Sequence, residues 1–307
     1  MDHFDFIQEG GLTINREYGD LLKKHRLNSF VNIYNLDWGE LFKKNRYRSV
    51  VRFFLQGKEG KSHIFHLKRH HPPFLTRLKT ILTGFRISEG AENEWNTMIR
   101  LEEIGIRTMT PVVFGAIRKY GLPYRSLTLT EHLYGAERLE EFLPLQFSGK
   151  RLDPDKIRYK RKIIRELARW ARRFHGSGFH HQDFYLGHIF IKPSEGEDFT
   201  LHLIDLQRVK EHRKVRTSRV VKDLSQINFS ATQLSCLSRT DRLRFLMAYL
   251  DKERLNGAEK KLIRKVENKT RRIALHTRKL LEKRGRRKAG KKTSPGSGKK
   301  SKIKEPF

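Results

Sequence analysis

The sequence predicts an α+β chain of two lobes, a β-rich N-terminal lobe and a helical C-terminal lobe. Three observations predict it. Short runs rich in Val, Ile and Phe occupy residues 30–70 and return between 111 and 133. After about Gly135 the apolar residues recur at helical spacing instead. The length, 307 residues, is near the size at which one core stops growing and a chain divides.

In chain order, strands are predicted over Ser29 to Leu36, Ser49 to Leu55 and Ser62 to Lys68. Gly57 and Gly60 mark a turn between the last two, which predicts an antiparallel hairpin. A looser basic stretch, Arg69 to Ser88, contains Pro72-Pro73. A helix follows over Glu89 to Ile104, with Trp95, Met98, Ile99 and Leu101 as its apolar positions and Gly105 as its stop. Two more strands fit Pro111 to Ile117 and Ser126 to Leu133. In the second half, Ile163, Leu167, Ala171 and Phe174 define a helix over Asp155 to His175, ended by Gly176 and Gly178. A polar loop over 180–188 precedes short strands at 189–192 and 201–206. Helical patterns then run over Val220 to Leu234, Arg239 to Asp251 and Ala258 to Lys283. Residues 284–307 hold almost no apolar side chain and are expected to be a disordered basic tail. The expected division is therefore 1–135, 136–283 and 284–307.

Lys and Arg number 66 against 34 Asp and Glu, a formal net charge of +32. Such a field favours polyanionic partners without choosing among them. The single cysteine, Cys236, rules out an intramolecular disulfide and a cysteine-based zinc site, and suits a reducing compartment. Met1 to Gly11 carries Asp2, Asp5 and Glu9, so a signal peptide is not expected, and no run reaches the ~20 apolar residues of a membrane span. The reading is a cytoplasmic protein.

The most informative segment is His181-Gln182-Asp183-Phe184-Tyr185-Leu186-Gly187-His188, between the long helix and a short strand. Kinases place H-R-D-L-x-x-x-N there, with the Asp beside the attacking hydroxyl and the Asn on a metal. Asp183 takes the first role and His188 stands at the second position. Asp205, at the end of the predicted strand 201–206, suits a magnesium ligand that bridges nucleotide phosphates. Lys68, ending a strand, would hold the α- and β-phosphates. Its partner on the following helix is Glu94, with Glu92 as the fallback. Glu131 to Leu133 form the link between lobes, where Glu131 and Leu133 would meet adenine through the backbone. Asp223 is expected to stabilise the catalytic loop from a helix. Each piece alone has an ordinary structural explanation: an H-x-D triplet is usually a polar loop, and an Asp after a strand is often a turn former. Their order and spacing carry the kinase-like reading. A Gly-rich phosphate loop is absent, and only Gly39 lies between the first two predicted strands.

At these residues the chain resembles the lipopolysaccharide kinase family, the heptose and Kdo kinases of the core oligosaccharide. The likeness spans roughly residues 36–235. It is carried by Leu67-Lys68-Arg69-His70, Asn93-Glu94-Trp95, Leu101 to Met109, His181 to Ile191, Ile204 to Arg208, Lys222-Asp223-Leu224 and Asn228 to Ala231. The resemblance implies a two-lobed protein-kinase-like fold, ATP and Mg²⁺, and catalysis by Asp183. It also implies a lipopolysaccharide core precursor as substrate, phosphorylated on an inner-core sugar at the cytoplasmic face of the inner membrane. His at the position of His188 is usual in that family.

From Lys283 to Phe307 there are 11 Lys and Arg against one acidic residue, Glu305. This arm suits an anionic membrane surface. No base-reading motif supports nucleic acid as a partner, and no stable protein partner is expected. The competing functions are a kinase for protein or another small molecule, and a non-catalytic kinase-fold protein that binds nucleic acid.

Overall fold

The computed structural model describes residues 4–57, 60–71, 91–120, 122–149 and 152–292. The N-terminal lobe is a seven-stranded antiparallel sheet in the order β1-β2-β6-β7-β5-β4-β3. These strands are β1 (Phe6–Glu9), β2 (Leu12–Asn15), β3 (Glu40–Asn45), β4 (Arg48–Gln56), β5 (Ser62–His70), β6 (Pro111–Lys119) and β7 (Leu122–Glu131). The expected hairpin is present, with β4 paired to β5 from Arg48↔His70 to Gln56↔Ser62.

The first 35 residues, to which the sequence reading gave no function, complete this lobe. The β1–β2 hairpin adds to β6, pairing Leu12 with Gly115 and Ile14 with Val113. Two short helices, α1 (Gly19–Lys24) and α2 (Phe30–Tyr34), bring Leu22, Phe30 and Ile33 into the lobe core with Leu12, Phe65 and Leu127. Glycine at 115 lets this packing close: a Cβ there would lie 2.6 Å from the Leu12 side chain and 2.8 Å from Phe30, so one of them would have to shift.

The strand expected over Ser29 to Leu36 is instead α2. Ser29 caps it by accepting a hydrogen bond from Asn32 N, and the buried residues Phe30, Ile33 and Tyr34 recur at the period of a helix, not of a strand. The strand before β4 is therefore β3.

Helix α3 (Ala91–Glu103) links the lobes: its Trp95, Met98 and Leu101 pack into the core of the helical lobe. That lobe holds β8 (Glu137–Arg138), α4 (Leu139–Phe147), α5 (Pro154–Gly176), β9 (Phe179–His180), β10 (Ile189–Pro193), β11 (Phe199–Leu203) and β12 (Lys210–Glu211). Helices α6 (Thr217–Thr232), α7 (Arg239–Leu250) and α8 (Gly257–Lys292) complete it. Helix α5 begins cleanly, with Asp153 accepting from Lys156 N at 2.8 Å and Pro154 in the first turn. It ends before Gly178 (φ +90°), where a Cβ would meet His212 O at 2.1 Å. Helix α8 continues to Lys292, so 284–292 is helical where a disordered tail was expected; residues 293–307 lie outside the described part, as do 72–90 of the looser basic stretch.

Candidate active site

Helix α5, β9 and α6 fix the loop that carries Asp183. The fully buried Asp223 of α6 accepts a hydrogen bond from His181 N at 2.8 Å. One turn on, Gln226 accepts from Phe184 N at 2.9 Å and donates to Gln182 O at 2.8 Å, so it clamps both neighbours of Asp183. Gln182 is held in the left-handed region, φ +64°, a conformation that costs energy for a non-glycine residue and persists only under such restraint. His181 is buried, and burial lowers its pKa; its Nε2 donates to Ile204 O at 3.1 Å. The catalytic-loop segment is thereby tied to the segment that carries Asp205.

Asp205 does not end a strand. Strand β11 stops at Leu203, and Asp205 follows in the left-handed conformation (φ 56°, ψ 51°) that opens a 3-10 turn over Leu206–Arg208. Asn93 of α3 holds that turn, donating through Nδ2 to the carbonyls of Gln207 and Val209, each at 3.1 Å. Burial works against ionisation of Asp205, yet Lys68, Arg48 and His188 beside it prevail and hold its carboxyl below the usual range. His188 Nδ1 donates to Asp183 O at 2.7 Å, which leaves the Nε2 lone pair 4.0 Å from Asp205 Oδ2. A histidine that donates its other N–H to a backbone carbonyl is oriented as metal-binding histidines are. Among the described residues no three His, Cys, Asp or Glu side chains converge as a metal cage.

Lys68 on β5 and Glu94 on α3 form a buried ion pair, with Glu94 fully enclosed. The fallback, Glu92, faces outward to Arg118 at 3.1 Å. Lys68, Glu131, Leu133, His188 and Asp205 all line one cleft of about 690 Å³ between the lobes. That volume suits a nucleotide-sized ligand. The Glu131 carboxylate is turned away to Tyr18 Oη and His63, while its amide is bonded to Thr110 O. Asp183 Oδ2 is paired with Arg208, and among the described residues Oδ1 has no partner.

A family model for the lipopolysaccharide kinase (Kdo/WaaP) family matches residues 37–249. The chain belongs to that family. Among similar lipopolysaccharide kinases, the core heptose(I) kinase WaaP of Pseudomonas aeruginosa is 34% identical over 174 residues, covering 56% of this chain and 63% of that protein. The same-named protein of Escherichia coli is 30% identical over 203 residues, covering 65% and 73%. A solved structure, WaaP in complex with acyl carrier protein, has a TM-score of 0.65 at 26% identity and covers 85% of this chain and 98% of that one. The two-lobed kinase-like fold is therefore that of a lipopolysaccharide kinase.

The sequence reading missed Arg208, Arg48 and Gln207. Arg48 Nη1 donates to Gln207 Oε1 at 2.8 Å, and Gln207 Nε2 donates to Glu94 Oε2 at 3.1 Å. These contacts span more than 100 positions in the chain, so spacing carries no signal of them. Arg69 and His71, in the basic stretch, are engaged within the N-terminal lobe: Arg69 with Leu36 O and His71 with Tyr34 Oη.

Proposed function

We propose that the protein transfers the γ-phosphoryl group of ATP to a sugar hydroxyl, on heptose or Kdo, of the lipopolysaccharide inner core. The observation that carries the reading is that Lys68, held by Glu94, lines one cleft with Asp205 and with His188, whose Nδ1 is bonded to the Asp183 carbonyl. Lys68, oriented by Glu94, neutralises the nucleotide phosphates. Leu133 and Glu131 present backbone groups to the adenine. Asp183 Oδ1 accepts the hydrogen bond of the sugar hydroxyl and takes its proton as the bond to the γ-phosphorus forms and the bond to the β–γ bridging oxygen breaks, releasing ADP; Arg208 steadies the other oxygen. Asp205 and His188 would hold Mg²⁺, which when bound draws charge from the phosphate oxygens. Positioning and charge stabilisation supply most of the rate.

The same likeness supports an acyl carrier protein as a partner, in place of the expectation of no stable protein partner. No described helix is long and apolar enough to cross a membrane. A peripheral site at the cytoplasmic face, held by the basic C-terminal region, is part of this proposal. The test is incubation with ATP and an acceptor panel that includes dephosphorylated inner core, a protein substrate and free sugars, followed by mass-spectrometric location of the phosphate. Phosphate on heptose or Kdo is expected; transfer to protein alone overturns the acceptor class.

A further inference from the structure

The turn that would cover the nucleotide phosphates, Asn45-Arg46-Tyr47 between β3 and β4, contains no glycine. Glycine-rich loops act by bringing backbone N–H groups close to phosphate. Another donor is needed here, and the cleft supplies one. Arg48, the first residue of β4, lines the cleft together with Lys68 and Asp205. Its Nη1 is committed to Gln207 Oε1, and Gln207 in turn donates to the free oxygen of Glu94, the residue that holds Lys68. Arg48 and Lys68 are thus fixed in relation to one another through two side chains, Gln207 and Glu94.

The guanidinium is incompletely satisfied. It has five N–H donors. Its Nε is shut off from solvent and has no hydrogen-bond partner, and among the described residues no carboxylate is ion-paired with Arg48. Nη2, which also has no hydrogen-bond partner among the described residues, is the donor left to meet an anion in the cleft.

We propose that Arg48 is a phosphate-binding residue of the nucleotide site, a second cation beside Lys68 that replaces the glycine-rich loop, and that Gln207 is its positioning residue. The inference rests on the ATP-dependent reading of the cleft. A planar guanidinium binds phosphate through paired N–H groups, a geometry that an ammonium does not reproduce. Gln207, at the place where kinases carry the glycine of D-F-G, then has a stated purpose: its amide joins the phosphate-facing cation to the Lys68–Glu94 pair.

The experiment is isothermal titration of the full chain with ATP and with adenosine, in EDTA so that metal does not contribute. Wild type, Arg48→Gln, Arg48→Lys and Gln207→Ala are compared after their melting curves have been recorded. Arg48→Gln is expected to lose about 10- to 100-fold in ATP affinity, the range for one charge-assisted hydrogen bond, and nothing for adenosine. Arg48→Lys should fall between, and it carries the test if Arg48→Gln does not fold. Gln207→Ala should lose a few-fold for ATP only. Wild-type ATP affinity in both Arg48 variants overturns the proposal and leaves the kinase reading intact. Equal losses for ATP and adenosine overturn it too, since Arg48 would then only shape the cleft. Wild type that binds neither compound, in EDTA or with Mg²⁺ added, overturns both.

Discussion

Replacing Asp223 with alanine should loosen the catalytic loop and cost about 2–4 kcal/mol of stability. The side chain is fully buried. Its Oδ2 accepts from His181 N at 2.8 Å and lies 3.4 Å from His175 Nε2, and His175 is bonded through Nδ1 to Tyr249 Oη at 2.9 Å. Alanine leaves the His181 amide buried without an acceptor, at about 1–3 kcal/mol, and loses the weaker His175 contact, worth about 1 kcal/mol. Relief of the unpartnered Oδ1 offsets part of this, which keeps the sum below the upper end. Asp223→Asn retains an acceptor oxygen and should cost about half as much. Urea unfolding at constant m-value is the assay. Phosphoryl transfer should fall in kcat with little change in KM for ATP, because the loop and not the nucleotide site is disturbed. An unfolding midpoint within about 0.5 kcal/mol of wild type in Asp223→Ala would show that the helix does not brace the loop.

Lys68→Met should destabilise by about 3–5 kcal/mol, since Glu94 remains buried without its cation, and Lys68→Met combined with Glu94→Leu should recover much of the loss on denaturant titration. Asp205→Ala should remove the Mg²⁺-dependent part of ATP binding, which calorimetry with and without the metal reads directly; an undiminished metal effect contradicts its assignment. Burial pushes His66, His70 and His180 down to about 4 from an ordinary value near 6.5. The unfolded chain therefore binds more protons than the folded one between those values, so stability should fall as pH drops from about 6.5 to 4. Urea midpoints at pH 7 and pH 5 test this, and equal midpoints contradict it.

The long elements were legible because their burial is periodic. Helix α5 exposes its pattern in Ile163, Leu167, Ala171 and Phe174, all buried in the core. Helix α2 was not legible as a helix: four of its five residues are Phe, Val, Ile and Tyr, a strand-like composition, and only the Ser29 cap and tertiary burial decide the matter. Helix α4, where no element was expected, buries Leu139, Phe142 and Leu143 but carries Pro144 inside it, a residue that disfavours helix interiors. In the site, Lys68, Glu94, Asp183 and Asp205 were singled out by their order along the sequence, and the structure pairs Lys68 with Glu94 and sets Lys68 and Asp205 in one cleft. The Arg48–Gln207–Glu94 relay joins side chains of both lobes, and the Asp183–Arg208 pair joins two loops of the helical lobe, so both depend on tertiary packing that order along the chain does not show.

The central claim is tested most directly by labelled phosphate transfer from [γ-³²P]ATP to dephosphorylated lipopolysaccharide inner core, with wild type and Asp183→Asn assayed side by side. The account predicts Mg²⁺-dependent label on a core sugar with wild type, and a folded Asp183→Asn variant that still binds ATP but transfers about 10²–10⁴-fold more slowly. Wild-type transfer by folded Asp183→Asn, or no label on the core sugar with active wild type, would contradict it.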